Sequence, residues 1–297
     1  MMLTTLWVMT IAAVVTMGAA LVGRQAVLQG ASRVELERGR WQALSCERRA
    51  IAAIDDVLRD APTLQDATLA WRTLPLKVLG SSLLTRCDVV FEAAGTRLDV
   101  NAASAEMMVS LLNAVGLGDQ APEMTDALED WIDADDDPRA MGVERQWYEG
   151  AGRLSPRNAP LAAIGELARV RGFESISGFD SVLTTEPGRV SLATAPVSVL
   201  MAVPGITRET AEQIVARQVA GEPINDLLSL LSAISAASAS TLATRYPDAA
   251  RVTTPDPDAW LIRARVSRGV PRVSVVLEWR VVRAGRRCVV ARTRSAL

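Results

Sequence analysis

The sequence has no histidine, only three cysteines, and 4% aromatic residues among 297 positions. Without imidazole there is no Ser-His-Asp or Cys-His nucleophile and no histidine-bearing zinc site. Three cysteines without a CxxC spacing cannot close a four-cysteine zinc site. Whether any two of Cys46, Cys87 and Cys288 pair stays open at this level. A net charge of −2, with 22% charged residues, gives no global bias towards nucleic acid or an anionic surface and argues against wholesale disorder. What survives is carboxylate chemistry, oxygen-ligated metals, binding and structure. The 49% apolar content over this length suffices for one large or two modest domains.

Charge is also missing from Met1 to Gly23, where Leu3 to Val22 reads LTTLWVMTIAAVVTMGAALV. About 20 residues at a rise of 1.5 Å span roughly 30 Å, the hydrocarbon thickness of a bilayer. A retained membrane anchor is preferred over a cleaved signal peptide, which would carry a basic n-region, and over a buried core helix. Thr4, Thr5, Thr10 and Thr16 interrupt the run with hydroxyls able to bond back to helix carbonyls. Beyond it, Val27, Val34, Trp41, Leu44, Ile51, Ile54 and Leu58 recur at helical spacing, with charged residues mostly between them. One long helix is predicted, lipid-embedded at first, then amphipathic, stopping at Asp60-Ala-Pro62. The arginines after the anchor favour a cytoplasmic body, but that rule fades for long translocated domains, so charge alone leaves the orientation undecided.

Residues 86–100 read as a hairpin, Val89 and Phe91 against Leu98 and Val100 across Ala94-Gly95. Near the other end, Trp260, Ile262, Ala264 and Val266 alternate, Gly269-Val-Pro271 turns the chain, and Val275, Leu277, Trp279 and Val281 share a face. Ala284-Gly285 leads to a last strand over Cys288–Thr293. An antiparallel sheet of about five strands is predicted. Between its strands lies a helical stretch from Asn101 to Ala250, which suggests an inserted domain.

Within that stretch, Val100-Asn-Ala-Ala-Ser-Ala-Glu-Met107 resembles Val190-Ser-Leu-Ala-Thr-Ala-Pro-Val197, an internal repeat. Each copy is followed by an apolar helix and then by Ala-Val-Gly-Leu117 or Val203-Pro-Gly-Ile206. The segment Val203–Ile214 is similar to a helix-hairpin-helix, a motif that can bind DNA phosphates through the N–H groups of its glycine turn. Against that use, the basic residue there is Arg208, flanked by Glu209 and Glu212. A structural hairpin is preferred, with an anchored periplasmic DNA-binding protein as the alternative.

The remaining chemistry lies in an acidic loop. From Asp126 to Glu149 there are nine acids and two arginines. Counting Asp133 as one, Asp135, Asp137 and Glu144 fall at three, five and twelve, positions that supply side-chain oxygens in a calcium loop. Pro138 stands where an EF-hand needs glycine, so the loop is not an EF-hand, and Gly142 is the candidate for a left-handed turn. Crowded carboxylates repel unless neutralised, and hard oxygen ligands without His or Cys favour Ca²⁺ over Zn²⁺. An exposed acidic loop and a carboxylate-pair hydrolase are the alternatives.

Taken in order, the anchor, Leu98-Asp-Val-Asn-Ala-Ala-Ser-Ala105, Ala127-Leu-Glu-Asp-Trp-Ile-Asp-Ala-Asp-Asp136, Gly142-Val-Glu144 with Trp147-Tyr148, and Arg157-Asn-Ala-Pro160 before Ile164-Gly-Glu-Leu167 resemble the minor pseudopilin K family of bacterial type II secretion. The resemblance implies an α+β fold: a pilin-like long N-terminal helix on an antiparallel sheet, with a large inserted all-α domain containing helix-hairpin-helix-like repeats. The boundaries it suggests are 1–23 for the transmembrane part, 24–100 for the first pilin-like part, 101–250 for the inserted domain with the acidic loop, and 251–297 for the C-terminal strands. It implies structural calcium on Asp133, Asp135, Asp137 and Glu144, with Asp136 and Asp130 as further candidates. It also implies a non-enzymatic subunit at the tip of a pseudopilus, anchored in the bacterial inner membrane through residues 3–22, with its main body in the periplasm. Implied partners are other minor pseudopilins, the major pseudopilin, the inner-membrane assembly platform and exported protein cargo; nucleic acid is disfavoured. Family precursors carry a short basic leader ending in Gly, which is not seen before Leu3. The lack of a Glu near the start of the apolar run fits subunit K.

Overall fold

The computed structural model describes residues 2–79, 84, 87–269 and 272–296. In chain order it forms α1 (Met2–Arg59), α2 (Leu64–Arg72), α3 (Leu74–Val78), β1 (Asp88–Ala93), β2 (Leu98–Asp99), α4 (Ala105–Ala114), α5 (Ala121–Ile132) and α6 (Arg145–Gly150). There follow β3 (Leu183–Thr184), β4 (Val190–Ser191), α7 (Val197–Leu200), α8 (Arg208–Ala220), α9 (Ala236–Val252), β5 (Thr253–Thr254), β6 (Trp260–Arg268), β7 (Val273–Ala284) and β8 (Arg287–Ala296). These elements divide into two compact units: Met1–Pro62, Thr73–Phe91 and Ile262–Leu297 in one, Thr63–Arg72 and Glu92–Leu261 in the other.

The first unit is built on α1, a single helix of 58 residues. Its apolar stretch has a mean hydropathy of 2.0 with none of the window buried, long and apolar enough to cross a membrane. The Thr10 hydroxyl donates to the Leu6 and Trp7 carbonyls, and Thr16 to those of Ala12 and Ala13, so neither leaves an unpaired O–H in the run. Helix α1 packs on β7, β8 and α3. The face it buries is made of small residues, Gly39, Ala43, Cys46, Ala50 and Ala53, with Ile54 and Leu58 above them. The large residues of the predicted stripe divide: Ile54 and Leu58 are buried, while Val27, Val34 and Trp41 are 71%, 51% and 69% exposed. Small side chains bring helix and sheet close, and a Cβ on Gly39 would stand 2.9 Å from Val275 Cγ2. Cys46 is bonded to Cys87, with Cα atoms 5.7 Å apart, which ties α1 to the approach of β1. Cys288 stays a thiol, pushed up to about 12 by burial and then by the nearby Asp55 charge.

The sheet runs β1-β6-β7-β8, four strands among the described residues rather than about five. Val275, Leu277, Trp279 and Val281 are buried, as are Trp260, Ile262, Ala264 and Val266, so both alternations mark inward faces. Strand β8 pairs antiparallel with β7 through the tight turn at Gly285, whose φ is 65°. The turn predicted at Gly269-Val-Pro271 lies, at Val270 and Pro271, outside the described residues. The predicted hairpin over 86–100 does not form: β1 lies beside β6, and β2 pairs in parallel with β3, Leu98 opposite Leu183. Alternation says which side chains face inward, not which strand lies alongside. Gly95 is still a turn residue, at φ 83°.

The second unit is mainly helical, with Leu111, Leu112, Met124, Leu128, Trp131, Tyr148 and Phe173 among its largest buried side chains. The internal repeat is visible in its backbone. One excursion leaves at β2 and returns at β3; the other leaves at β4 and returns at β5, each pair parallel. After each departing strand the same bonds recur: Ala102 and Ala103 N–H donate to Asp99 O, and Thr194 and Ala195 N–H to Ser191 O. Ser104 caps α4 by accepting from Met107 N–H, while Pro196 stands at the N-cap of α7. Each first helix leads to a glycine of positive φ, Gly116 at 88° and Gly205 at 81°. Residues 63–72 cluster with this unit because Trp71 Nε1 donates to Pro257 O at 2.8 Å and Arg72 pairs with Asp256 at 2.6 Å.

Candidate functional site: the carboxylate cluster between α5 and α6

Helix α5 is amphipathic, burying Met124, Ala127, Leu128 and Trp131. Asp130 and Asp133, three residues apart, project from the same side of its last turn. That turn carries no basic residue, so carboxylates gather at the negative end of the helix dipole, where a nearby cation is favoured. The loop then returns and places Glu144 just before α6, whose Trp147-Tyr148 packs back on α5. Trp131 and Tyr148 meet edge to face at 5.1 Å, and Trp147 and Tyr148 at 5.0 Å. The Tyr148 hydroxyl accepts from Arg171 N–H at 3.1 Å, while Arg153 and Arg171 stack over Trp147.

The result brings Asp130, Asp133 and Glu144 together, with one carboxylate oxygen of each within 4.8 Å of the others. Asp130 is fully buried and Glu144 is 5% exposed. Neither oxygen of Glu144, nor Asp133 Oδ1, has a hydrogen-bond partner. Burial, then the charges of Asp130 and Asp133, pushes the Glu144 carboxyl up to about 7. Asp135, Asp136 and Asp137 are exposed and lie outside this trio. Asp135 Oδ1 accepts from Asp137 N–H at 3.0 Å, and Asn158, at φ 50°, donates from Nδ2 to Asp135 O and Asp136 Oδ1.

Gly142 does not supply a left-handed turn; it is absent from the positive-φ residues. Its role is close approach: a Cβ there would stand 2.6 Å from Asp130 Cγ. The contacts of two residues are not encoded in local spacing. Asn158 anchors the outer loop, and Arg139 reaches into the cluster, Nη1 to Asp130 Oδ1 at 2.8 Å and to Asp133 Oδ2, and Nε to Glu129 Oε2 at 2.9 Å. Asp133 and then Asp130 hold that guanidinium well above its usual pKa. The available signals were an arginine within a run of acids and the motif Arg157-Asn-Ala-Pro160.

The donor set is all oxygen, and two oxygens on one calcium ion lie no more than about 5 Å apart. The trio's spacing and the partnerless Glu144 carboxylate therefore fit a hard divalent cation. No Ser, Cys or His nucleophile stands in this group.

At the glycine turn proposed for phosphate binding, the local groups are engaged internally. Thr207 Oγ1 accepts from Thr210 N–H, and Glu209 accepts from Ser235 N–H, Ser235 Oγ and Ser238 Oγ. A Cβ on Gly205 would stand 2.6 Å from Arg245 Cβ, so packing on α9 demands the glycine.

A chain of the GspK-GspI-GspJ complex from the enterotoxigenic Escherichia coli type 2 secretion system has a similar fold. The identity is 18% and the TM-score 0.60, over 91% of this chain and 99% of that one. Residues 87–176, which include the acidic loop, match the family model "Type II secretion system (T2SS), protein K". A comparison with curated protein sequences gives no match. A long helix on an antiparallel sheet, carrying a segment similar to this family, is thus a fold shared with that structure of a type 2 secretion system complex. Over residues 87–176 the chain is similar to the protein K family, the family that the sequence resemblance implied. Helix-hairpin-helix repeats are not confirmed, and neither comparison supports the DNA-binding alternative.

Proposed function

We propose that this chain is a non-enzymatic structural subunit at the tip of a type II secretion pseudopilus, supporting export of folded proteins across the outer membrane. In this reading residues 3–22 anchor it in the bacterial inner membrane and the body stands in the periplasm. Its partners are other minor pseudopilins, then the major pseudopilin and the assembly platform. The observation that carries the reading is the family match on a frame whose long helix leaves Val27, Val34 and Trp41 uncovered above an apolar span. A row of large apolar side chains left exposed along one helix fits an interaction surface. The related structure is named as a K-I-J complex, which favours other minor pseudopilins as the cover. Deleting the chain should abolish secretion of folded substrates, and cross-linkers placed at Val34 should capture other minor pseudopilins. Normal export in the deletion strain would overturn the assignment.

Structural calcium belongs to the same reading. Asp130, Asp133 and Glu144 would hold the ion, with Asp135, Asp136 and Asp137 on the exposed rim. Bound there, it supplies the positive charge that offsets carboxylate repulsion and ties the end of α5 to the start of α6. Extracellular-type sites have dissociation constants of about 0.1–1 mM, and ligand at a hundredfold excess over that constant adds roughly 2.7 kcal/mol. Chelation should lower the melting temperature, Glu144→Ala should mimic chelation, and magnesium should substitute poorly. Calorimetry without calcium uptake, together with a melting curve indifferent to chelator, would remove the ion from the account.

A further inference from the structure

We infer that Arg139 is a built-in competitor for the cation site, occupying its carboxylates when no ion does and setting how tightly an ion is held. The inference rests on the calcium reading above and goes one step past it.

Three observations carry it. Arg139 Nη1 donates to Asp130 and Asp133, two of the three residues whose oxygens converge, so guanidinium and ion would draw on the same carboxylates. The third, Glu144, lies within the same 4.8 Å set and is almost fully buried, yet Arg139 does not reach it. A planar fork with one positive charge satisfies two carboxylates and leaves the third bare, whereas a spherical divalent ion can meet all three. Finally, Arg139 is a loop residue with its side chain 37% exposed, so it has solvent to move into. Its backbone N–H also donates to the Asp130 carboxylate at 3.2 Å, so the loop can stay attached after the guanidinium leaves.

The competition has a direction. Every ion entering must break charge-assisted hydrogen bonds of Arg139, which weakens apparent affinity, while the same bonds keep the ion-free loop from flying apart. Removing the guanidinium should tighten calcium binding and weaken the ion-free fold together. A purely structural arginine would do only the second.

Calcium chloride titrated calorimetrically into the full-length chain in detergent micelles tests this, with Arg139→Gln and Arg139→Lys beside wild type. Arg139→Gln should bind calcium at least about tenfold more tightly and melt lower than wild type in chelator. Arg139→Lys, keeping the charge but not the fork, should fall between. Equal or weaker binding by Arg139→Gln, with wild type still binding, would overturn the competitor role and leave the calcium site standing. No calcium heat from any of the three proteins would instead remove the calcium reading itself. Should Arg139→Gln fail to fold, the wild type decides: NMR of the Arg139 Nη–H protons, which face Asp130 and Asp133, should show faster exchange with water when calcium is added. Unchanged protection would overturn the inference.

Discussion

Gly142 lies so close to Asp130 that a single added methyl would displace the carboxylate: its Cβ would stand 2.6 Å from Cγ. Asp130 is fully buried and cannot swing into solvent. Gly142→Ala should therefore cost about 1–3 kcal/mol, the usual range for overpacking a closed site. It should also weaken calcium binding. Thermal melts with and without chelator check this, and an unshifted melting temperature would show that the site yields freely.

Proton linkage gives a second expectation. The Glu144 carboxyl stands at about 7 in the folded chain against an ordinary 4.5. A raised carboxyl stabilises the fold most below the ordinary value and loses that contribution as pH rises through the folded value. In chelator the loss is on the order of 3 kcal/mol across that window. Wild-type stability in chelator should fall from about pH 5 to about pH 8 more than that of Glu144→Gln. Calcium should bind more weakly below about pH 7, since the proton must leave first. Parallel pH curves for the two proteins would contradict the assignment.

The Cys46–Cys87 bond closes a sequence separation of 41. In the chain-entropy picture a loop of that length is worth about 4 kcal/mol. Cys46→Ser, or reduction of the wild type, should lower denaturant resistance by that order. Cys288→Ser should leave the bond intact. Urea titrations under oxidising and reducing conditions that superimpose would refute this.

On α1, Val34→Asp should change stability by less than about 0.5 kcal/mol because Val34 is 51% exposed. It should nevertheless reduce co-purification of other minor pseudopilins with the full-length chain. Normal co-purification would move the interface off this face.

The end of α1 and the inward faces of β6 and β7 were legible, because Asp60-Ala-Pro62 and two-residue alternation are local signals. The face of α1 that meets the sheet was not. Periodicity was read from the largest residues, whereas close packing selected Gly39, Ala43 and Ala50. The hairpin failed for a related reason, since strand partners are chosen by tertiary contacts. In the acidic loop, counting along a calcium-loop template picked out Asp133 and Glu144. Their convergence with Asp130 depends on a helical turn, and the entry of Arg139 depends on a loop path that no spacing encodes.

The frame's sheet draws β1 from before the helical unit and β6, β7 and β8 from after it. A ribosome releases these pieces at widely separated times. When β1 emerges it has no neighbour, and the whole helical unit can mature while that edge waits. The frame is thus begun first and finished last. A nascent chain emerged only as far as Leu261 would display a mature helical unit and an unclosed helix and strand, and an unpaired strand edge is a template for pairing with another chain.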